Sequence, residues 1–395
     1  MIKREKYIAS IREFYNSDLI KIITGIRRCG KSVILGQIKD EIEQSGAKCV
    51  YLNLEDRYEN NFSSANELVE FVLKAKGAKY VFLDEIQNIP NWQEACKTIR
   101  LKGLSLFITG SNSKLLSSEF AKELSGRFVS FNIRPFVYKE LKEYANELGK
   151  DFSLGEYLSL GGFAKIPEFR SNESIKAYLK DLDSTAIIND LIARYNIKKT
   201  ELFKKIVDFV MLSNARVLSA NSILNYIKSQ KITCSINTVI KYLSHLEEAY
   251  AIRKLPKYSL KAKRKLEFFE KVYNEDIAFS VIRGGGKDIT HNLENIIYNG
   301  LIFMGYELFL YDNNGKEIDF LAIKGGKEYL IQVAYSVAEN KACEREIGAF
   351  ASLDNSRAKV LITNDEIDFS TSTVRHNQAK RFFAYGRAIK TGKKY

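Results

Sequence analysis

Proline is scarce: 4 residues in 395, which with 23 unperiodic glycines excludes a collagen-like or proline-rich linker protein. Histidine is scarcer still. His245, His291 and His376 lie far apart, so a histidine-based metal centre is not expected. The five cysteines (Cys29, Cys49, Cys96, Cys234, Cys343) are odd in number and form no C-x-x-C pair. That spacing argues against a disulfide framework and against a structural zinc site. No apolar run approaches the ~20 residues that a membrane span requires. The opening MIKREKYIASIREFY is charged and lacks an apolar h-region, so it does not read as a secretory signal. The expectation is a cytoplasmic protein with no membrane partner.

What is present is an ordinary globular balance, 45% hydrophobic and 28% charged. A chain of 395 residues exceeds one core, so two or three domains are expected. The net charge is +13, from 61 basic and 48 acidic residues. Residues 201–271 hold 14 Lys or Arg and 6 Asp or Glu, so 14 − 6 = +8 of that excess is local. Such a concentration points to a polyanionic partner.

The first half alternates short apolar runs with helical patterns, the mark of βαβ units in a parallel sheet covered on both faces. Strands are predicted at 19–25, 48–56, 80–86, 104–112 and 127–136, with helices at 31–46 and 63–77. Residues 137–200 read as helical, broken at Gly161, Gly162 and Pro167. Three amphipathic helices follow, around 201–213, 219–229 and 235–249, and then a basic segment (253–279) that alternates like a hairpin. Beyond the glycine triplet at 284–286, a helix (289–304), strands (306–312, 317–323, 328–335), a helix (338–352) and a strand (359–363) are expected. The basic end, KRFFAYGRAIKTGKKY, reads as frayed or peripheral.

Gly25 to Ser32, GIRRCGKS, matches G-x-x-x-x-G-K-[ST] between a buried strand and a helix. In this pattern the backbone of Gly25, Ile26, Arg27, Arg28, Cys29, Gly30, Lys31, Ser32 and Val33 wraps phosphates, aided by the helix N-terminus. Lys31 is expected to reach the β- and γ-phosphates of ATP, and Ser32 to ligate Mg²⁺. Arg27 and Arg28 either face the phosphates or decorate the loop. VFLDEIQ ends an apolar strand in Asp84-Glu85, a Walker-B pattern. Asp84 would hold Mg²⁺ and Glu85 would orient or deprotonate the attacking water. The next strand ends in Thr109-Gly110-Ser111-Asn112, where Ser111 or Asn112 is placed to meet the γ-phosphate or its water.

TGIRRCGKS, FLDEIQN, TGSNSKLL, LSGRF and RPF together resemble a prokaryotic family of AAA-type P-loop ATPases. In that family the ATPase precedes a domain of unknown function related to restriction endonucleases. The likeness covers nearly the whole chain. It implies that Asn112 is a sensor and that Arg127 is an arginine finger acting across a subunit interface, hence a homo-oligomer. The expected layout is α/β: a P-loop ATPase core with a parallel sheet (1–136), a helical lid or connector (137–200), a winged-helix domain (201–283), and a PD-(D/E)xK-like α/β domain with a basic tail (284–395).

In the winged-helix reading, Ser235 caps a recognition helix whose Val239, Leu243, Leu246 and Ala249 fall at core spacing. That leaves Asn237, Lys241, Tyr242 and His245 for a DNA groove. The wing would carry Arg253, Lys254, Lys257, Lys261, Lys263, Arg264 and Lys265, seven cations in thirteen residues with no acid among them. Such a run either neutralises DNA phosphates or forms a solvated face, and winged helices also pack between domains or bind proteins.

The C-terminal order of elements resembles a PD-(D/E)xK nuclease core, with Glu294 and Asp319 at acid positions. The E-x-K positions read Gln332-Val333-Ala334. Gln332 offers a neutral oxygen to Mg²⁺ and Ala334 offers nothing, so a nuclease fold without nuclease chemistry is expected unless Lys327 or Lys341 has migrated in. The function expected is Mg²⁺-dependent ATP binding and hydrolysis coupled to DNA or a protein partner. The alternatives are a STAND-like switch with slow turnover and an ATP-regulated nuclease.

Overall fold

The computed structural model describes residues 2–56, 58, 61–111, 124, 126–258, 270–313, 315–351, 353 and 356–385. The chain divides into two units, Met1–Pro135 with Glu248–Tyr250, and Phe136–Glu247 with Ala251–Tyr395. No helix among the described residues is long and apolar enough to cross a membrane.

The first unit runs α1 (Glu5–Arg12), β1 (Ile20–Thr24), α2 (Lys31–Gln44), β2 (Lys48–Asn53), α3 (Ala65–Lys74), β3 (Ala78–Asp84), α4 (Trp92–Leu101), β4 (Ser105–Gly110) and β5 (Phe128–Asn132). The strands form one parallel sheet in the order β2-β3-β4-β1-β5. All five residues of β1 and all six of β4 are buried, as continuous apolar runs in a parallel sheet require. Ile20, Ile22, Val81, Leu83, Leu106 and Ile108 pack with Leu68 and Val72 of α3 and Ala95 and Ile99 of α4. The alternate positions serve the other face, where Phe82 and Phe107 stack at 4.6 Å. Ser64 caps α3 by accepting from the Glu67 amide, so this helix starts one residue after its capping serine.

The order of strands is what builds a site. β4 lies between β1 and β3, so the loop after β1 and the acids ending β3 flank the end of β4. That is the carboxyl edge of the sheet, where open α/β sheets take ligands.

The second unit begins with α5 (Tyr138–Glu147), α6 (Leu154–Leu160), α7 (Asn172–Asp183) and α8 (Asp190–Arg194), a π-helical turn at Ser184–Asn189 joining the last two. Next come α9 (Thr200–Leu212), β6 (Arg216–Leu218), α10 (Ala220–Ser229), α11 (Ile236–Glu248), β7 (Ile252–Leu255) and β8 (Glu270–Asn274). β6, β8 and β7 pair antiparallel in that spatial order. The remainder is α12 (Ala278–Val281), α13 (Ile289–Phe303), β9 (Glu307–Asn313), β10 (Lys316–Lys324), β11 (Lys327–Val333), α14 (Asn340–Gly348), β12 (Ala358–Thr363), β13 (Val374–Gln378) and α15 (Ala379–Tyr385). A five-stranded sheet, β13-β12-β11-β10-β9, is antiparallel from β9 to β11 and parallel from β11 to β13.

Several elements depart from the sequence reading: α4 and β6 form where no helix or strand is predicted. β13 was not expected at all. The start of the basic tail is an ordered helix rather than a frayed end: Phe382 and Phe383 are buried, and Phe383 meets Tyr138 edge to face at 5.9 Å. The aromatic pair inside the basic stretch outweighs its charge, because two buried rings offset the entropy of ordering one short helix. Residues 386–395 lie outside the described residues.

Candidate functional site

Gly25 has φ +148°, and a Cβ there would stand 2.1 Å from the Ile133 carbonyl oxygen and 2.9 Å from Cys29 Sγ. Only glycine fits, so the turn out of β1 is tight against the chain leaving β5. Gly30 (φ +98°) then occupies the N-cap position of α2 with no side-chain cap. The first amides of α2, those of Lys31, Ser32 and Val33, are thus left to a ligand at the positive end of the helix dipole. Ile26 and Cys29 are buried and face the core, so their backbone alone is available to a phosphate; Ser32 and Arg28 are exposed. Arg27 pairs with Glu55 at the surface, 3.3 Å away.

Lys31 is buried, and its ammonium donates to the carbonyls of Gly25 (3.2 Å) and Ile26 (3.3 Å). It lies 3.7 Å from a Glu85 carboxylate oxygen. A buried lysine resting on two main-chain oxygens is a cation held ready for a stronger anion. Asp84 ends β3 in the buried core, and Glu85 beyond it takes a left-handed conformation at φ +53°. Such backbone costs a non-glycine residue about 1–3 kcal/mol and recurs at functional sites.

Thr109 ties these acids together. Its hydroxyl accepts from the Glu85 amide at 2.9 Å and donates to an Asp84 carboxylate oxygen. Tyr51 on β2 donates to the other Asp84 oxygen at 3.4 Å, and burial together with the Asp84 charge raises the Tyr51 phenol to about 12. Gln87 donates to Glu85 from the other side. Ser111 is buried at the end of β4, whereas Asn112 lies outside the described residues.

Arg4 was not anticipated. It is buried, and its guanidinium donates to the carbonyls of Cys29 (3.1 Å) and Arg134 (2.9 Å), bracing the loop from behind. A lone arginine in a charged opening segment carries no sequence signal for that role. The oxygens of Ser32 and Asp84 are the hard donors that Mg²⁺ prefers, and the uncapped α2 amides with Lys31 suit a polyphosphate, so the residues fit both groups.

Arg127 is exposed and lies beside the start of β1: its carbonyl accepts from the Ile20 amide, and Phe128 pairs with Ile20. The loop leaves β1 at its other end, roughly 15 Å along the strand at ~3.3 Å per residue.

In the second unit the expected groove residues separate. On α11, Asn237 and Lys241 are exposed. Tyr242 and His245 are not: both are buried, Tyr242 edge-on to Phe203 at 5.1 Å and His245 stacked on Tyr195 at 3.5 Å. This corrects their placement, because Tyr242 lies one turn from both Val239 and Leu246 and His245 one turn beyond Tyr242, so both rings extend the buried stripe. The basic run is corrected too. Arg253 pairs with Glu275 (2.8 Å), Lys254 with Glu247 (3.3 Å) and Lys257 with Asp312 (2.9 Å). The acids missing from the run itself come from elsewhere in the fold. Lys261, Lys263, Arg264 and Lys265 lie outside the described residues.

Glu294 on α13 and Asp319 on β10 do come together, both bonded to one lysine. It is neither Lys327 nor Lys341, which are exposed, but Lys271 on β8. Gln332 does not offer a free oxygen: its carbonyl accepts from the Asp319 amide at 3.3 Å and its amide donates to Glu346 at 2.9 Å. Among the described residues no group of three His, Cys, Asp or Glu is disposed to hold a metal ion.

Residues 17–142 match the model of the AAA domain family, and residues 151–281 match a domain of unknown function, DUF8612. An uncharacterized protein of Haemophilus influenzae is 31% identical over 378 residues, 92% of this chain and 93% of its own. An uncharacterized protein of Methanocaldococcus jannaschii is 31% identical over 379 residues, 88% of this chain and 82% of its own. Among solved structures, the Walker-type ATPase of Pyrococcus abyssi is similar with a TM-score of 0.49 at 17% identity, covering 72% of this chain and 96% of that one. The likeness to the first two relatives runs nearly end to end, and the chain therefore belongs to their family, with an AAA domain at residues 17–142.

Proposed function

We propose that the protein binds and hydrolyses ATP with Mg²⁺ and couples the nucleotide state to DNA. The observation that carries the ATPase reading is Lys31, buried under the uncapped start of α2, on two carbonyls and 3.7 Å from Glu85. In this reading Lys31 exchanges the carbonyls of Gly25 and Ile26 for β- and γ-phosphate oxygens. The amides of residues 30–33 receive the remaining phosphate charge. Ser32 and Asp84 would hold Mg²⁺, which would supply positive charge to the phosphates. Glu85 takes a proton from the attacking water, its backbone fixed by Thr109 and its carboxylate held by Gln87 until the water arrives. Ser111, just past the end of the strand between loop and acids, is suited to contact the γ-phosphate; the same role is proposed for Asn112 from its sequence position alone.

The DNA reading draws support from an absence. Between Asp208 and Glu247 there is no carboxylate, while Arg216, Lys228, Lys231 and Lys241 all fall there. All four side chains are exposed, with Arg216 already paired to Asp288 at 2.7 Å, so Lys228, Lys231 and Lys241 carry the support. The order α9-β6-α10-α11-β7-β8 suits a winged helix, with the outer side of α11 presented to the groove.

The test is steady-state turnover of Mg-ATP by the parent, Lys31→Ala and Glu85→Gln, with and without duplex DNA over a salt series. Lys31→Ala should lose nucleotide affinity. Glu85→Gln should retain it and hydrolyse at least ~100-fold more slowly. Parental turnover in Glu85→Gln would remove the catalytic assignment, and slow turnover indifferent to DNA would favour the STAND-like switch.

A further inference from the structure

β8 presents Lys271 to the five-stranded sheet rather than to solvent. The side chain is only 4% exposed, and its ammonium lies 2.7 Å from Glu294, 2.8 Å from Glu317 and 2.9 Å from Asp319. Two residues along the same face, Tyr273 stacks on Tyr298 at 4.2 Å and donates to Glu294 at 2.6 Å. The second oxygen of Asp319 accepts from the Val333 amide at 2.9 Å. Each ammonium hydrogen therefore has a carboxylate oxygen to meet, and the two buried acids are bonded on every side that these contacts reach.

We propose that Lys271 is the resident cation of this acid pocket, occupying the place where a nuclease of similar fold would gather a divalent metal. The pocket is a receptor for the protein's own strand β8. It locks that strand to the C-terminal sheet and takes neither Mg²⁺ nor Mn²⁺. This inference is independent of the ATPase reading, since it involves no residue of the phosphate loop.

Three features support it. An internal ammonium satisfies three carboxylates without needing the open coordination positions that a catalytic metal keeps for water and phosphate. Gln332, at the position where such sites carry an acid, is engaged with the Asp319 amide and Glu346, so no further anionic ligand is offered. An ammonium buried among three acidic side chains holds their charges in place, and the cluster is stable only while that cation stays there.

The experiment uses the full chain in nucleotide-free buffer, with Lys31→Ala and Asp84→Ala as background so that only the second unit is probed. Mn²⁺ binding is read by electron paramagnetic resonance, stability by thermal melting, and DNA cleavage by gel. The expected results are no Mn²⁺ site that depends on Asp319, no cleavage, and a large loss of melting temperature in Lys271→Met. Much of that loss should return in Lys271→Met combined with Glu294→Gln and Asp319→Asn, where no buried charge is stranded. Lys271→Arg should sit between them. A Mn²⁺ site or cleavage abolished by Asp319→Asn would overturn the proposal. So would an unchanged melting temperature in Lys271→Met, or a neutral triple variant that fails to fold.

Discussion

At the scale of the residue, burial decides what a charge can do. Lys31 and Lys21 stand ten residues apart in the first unit and are both buried, yet their surroundings differ. Lys31 faces Glu85 and the ligand edge of the sheet, whereas Lys21 donates to Ser105 (2.7 Å) and the Ser17 carbonyl (3.2 Å) and lies over the Phe107 ring. Burial lowers Lys21 to about 8. Its folded-state value is thus below the unfolded one, so the charged form penalises folding fully below about pH 8. That penalty is relieved as pH rises from there to the ordinary lysine range. Stability should therefore gain up to about 3 kcal/mol from this group over that window. Denaturant unfolding of the parent and of Lys21→Met at pH 7, 8, 9 and 10 checks this. Parallel pH profiles for the two proteins would show that Lys21 carries no such linkage.

At the scale of the element, α11 shows one helix dividing its labour by face. Its inner face holds Val239, Tyr242, Leu243, His245 and Leu246, and its outer face holds Asn237, Ile240 and Lys241. The two faces should respond differently to mutation. Tyr242→Ala removes a buried ring packed on Phe203 and should cost about 3 kcal/mol or more. Asn237→Ala and Lys241→Ala should leave stability within about 0.5 kcal/mol. In the DNA reading they weaken binding instead, and Lys241→Ala flattens the slope of log affinity against log salt by about one unit. Melting curves and binding isotherms on the same three variants separate the effects. An unchanged salt slope in Lys241→Ala would take α11 off the DNA. The hairpin β7–β8 carries a second lesson: cations that look unopposed along the chain are paired with Glu275, Glu247 and Asp312 in the fold.

At the scale of the whole molecule, the position of Arg127 bears on assembly. It stands at the far end of β1 and β5 from the phosphate loop, too distant to touch a nucleotide held by its own chain. If this arginine completes the hydrolytic site, a second copy of the chain must supply it. Turnover per chain should then rise with protein concentration. Mixing Arg127→Ala with Lys31→Ala should recover part of the activity that each lacks, since a finger in trans contributes ~10³-fold or more. Equal specific activity at all concentrations, with no recovery on mixing, would show that one chain hydrolyses ATP alone.

The sequence by itself determined those features in which neighbours along the chain act together. A glycine-bounded loop between an apolar strand and a helix dictates phosphate geometry within eight residues, and Asp84-Glu85 at a strand end marks the second half of the site. Strand positions in the first unit were legible because a parallel sheet buries both faces and leaves continuous apolar runs. Tertiary structure alone decided the rest, for the physical reason that buried charges are satisfied by whatever the fold brings near, not by what stands adjacent in sequence. Arg4 braces a loop 25 residues away, Thr109 joins Asp84 to Glu85 from the neighbouring strand, and Tyr242 turns inward because a ring awaits it. Lys271, one basic residue in a basic stretch, becomes the counter-ion of acids that lie 23 to 48 positions further along the chain.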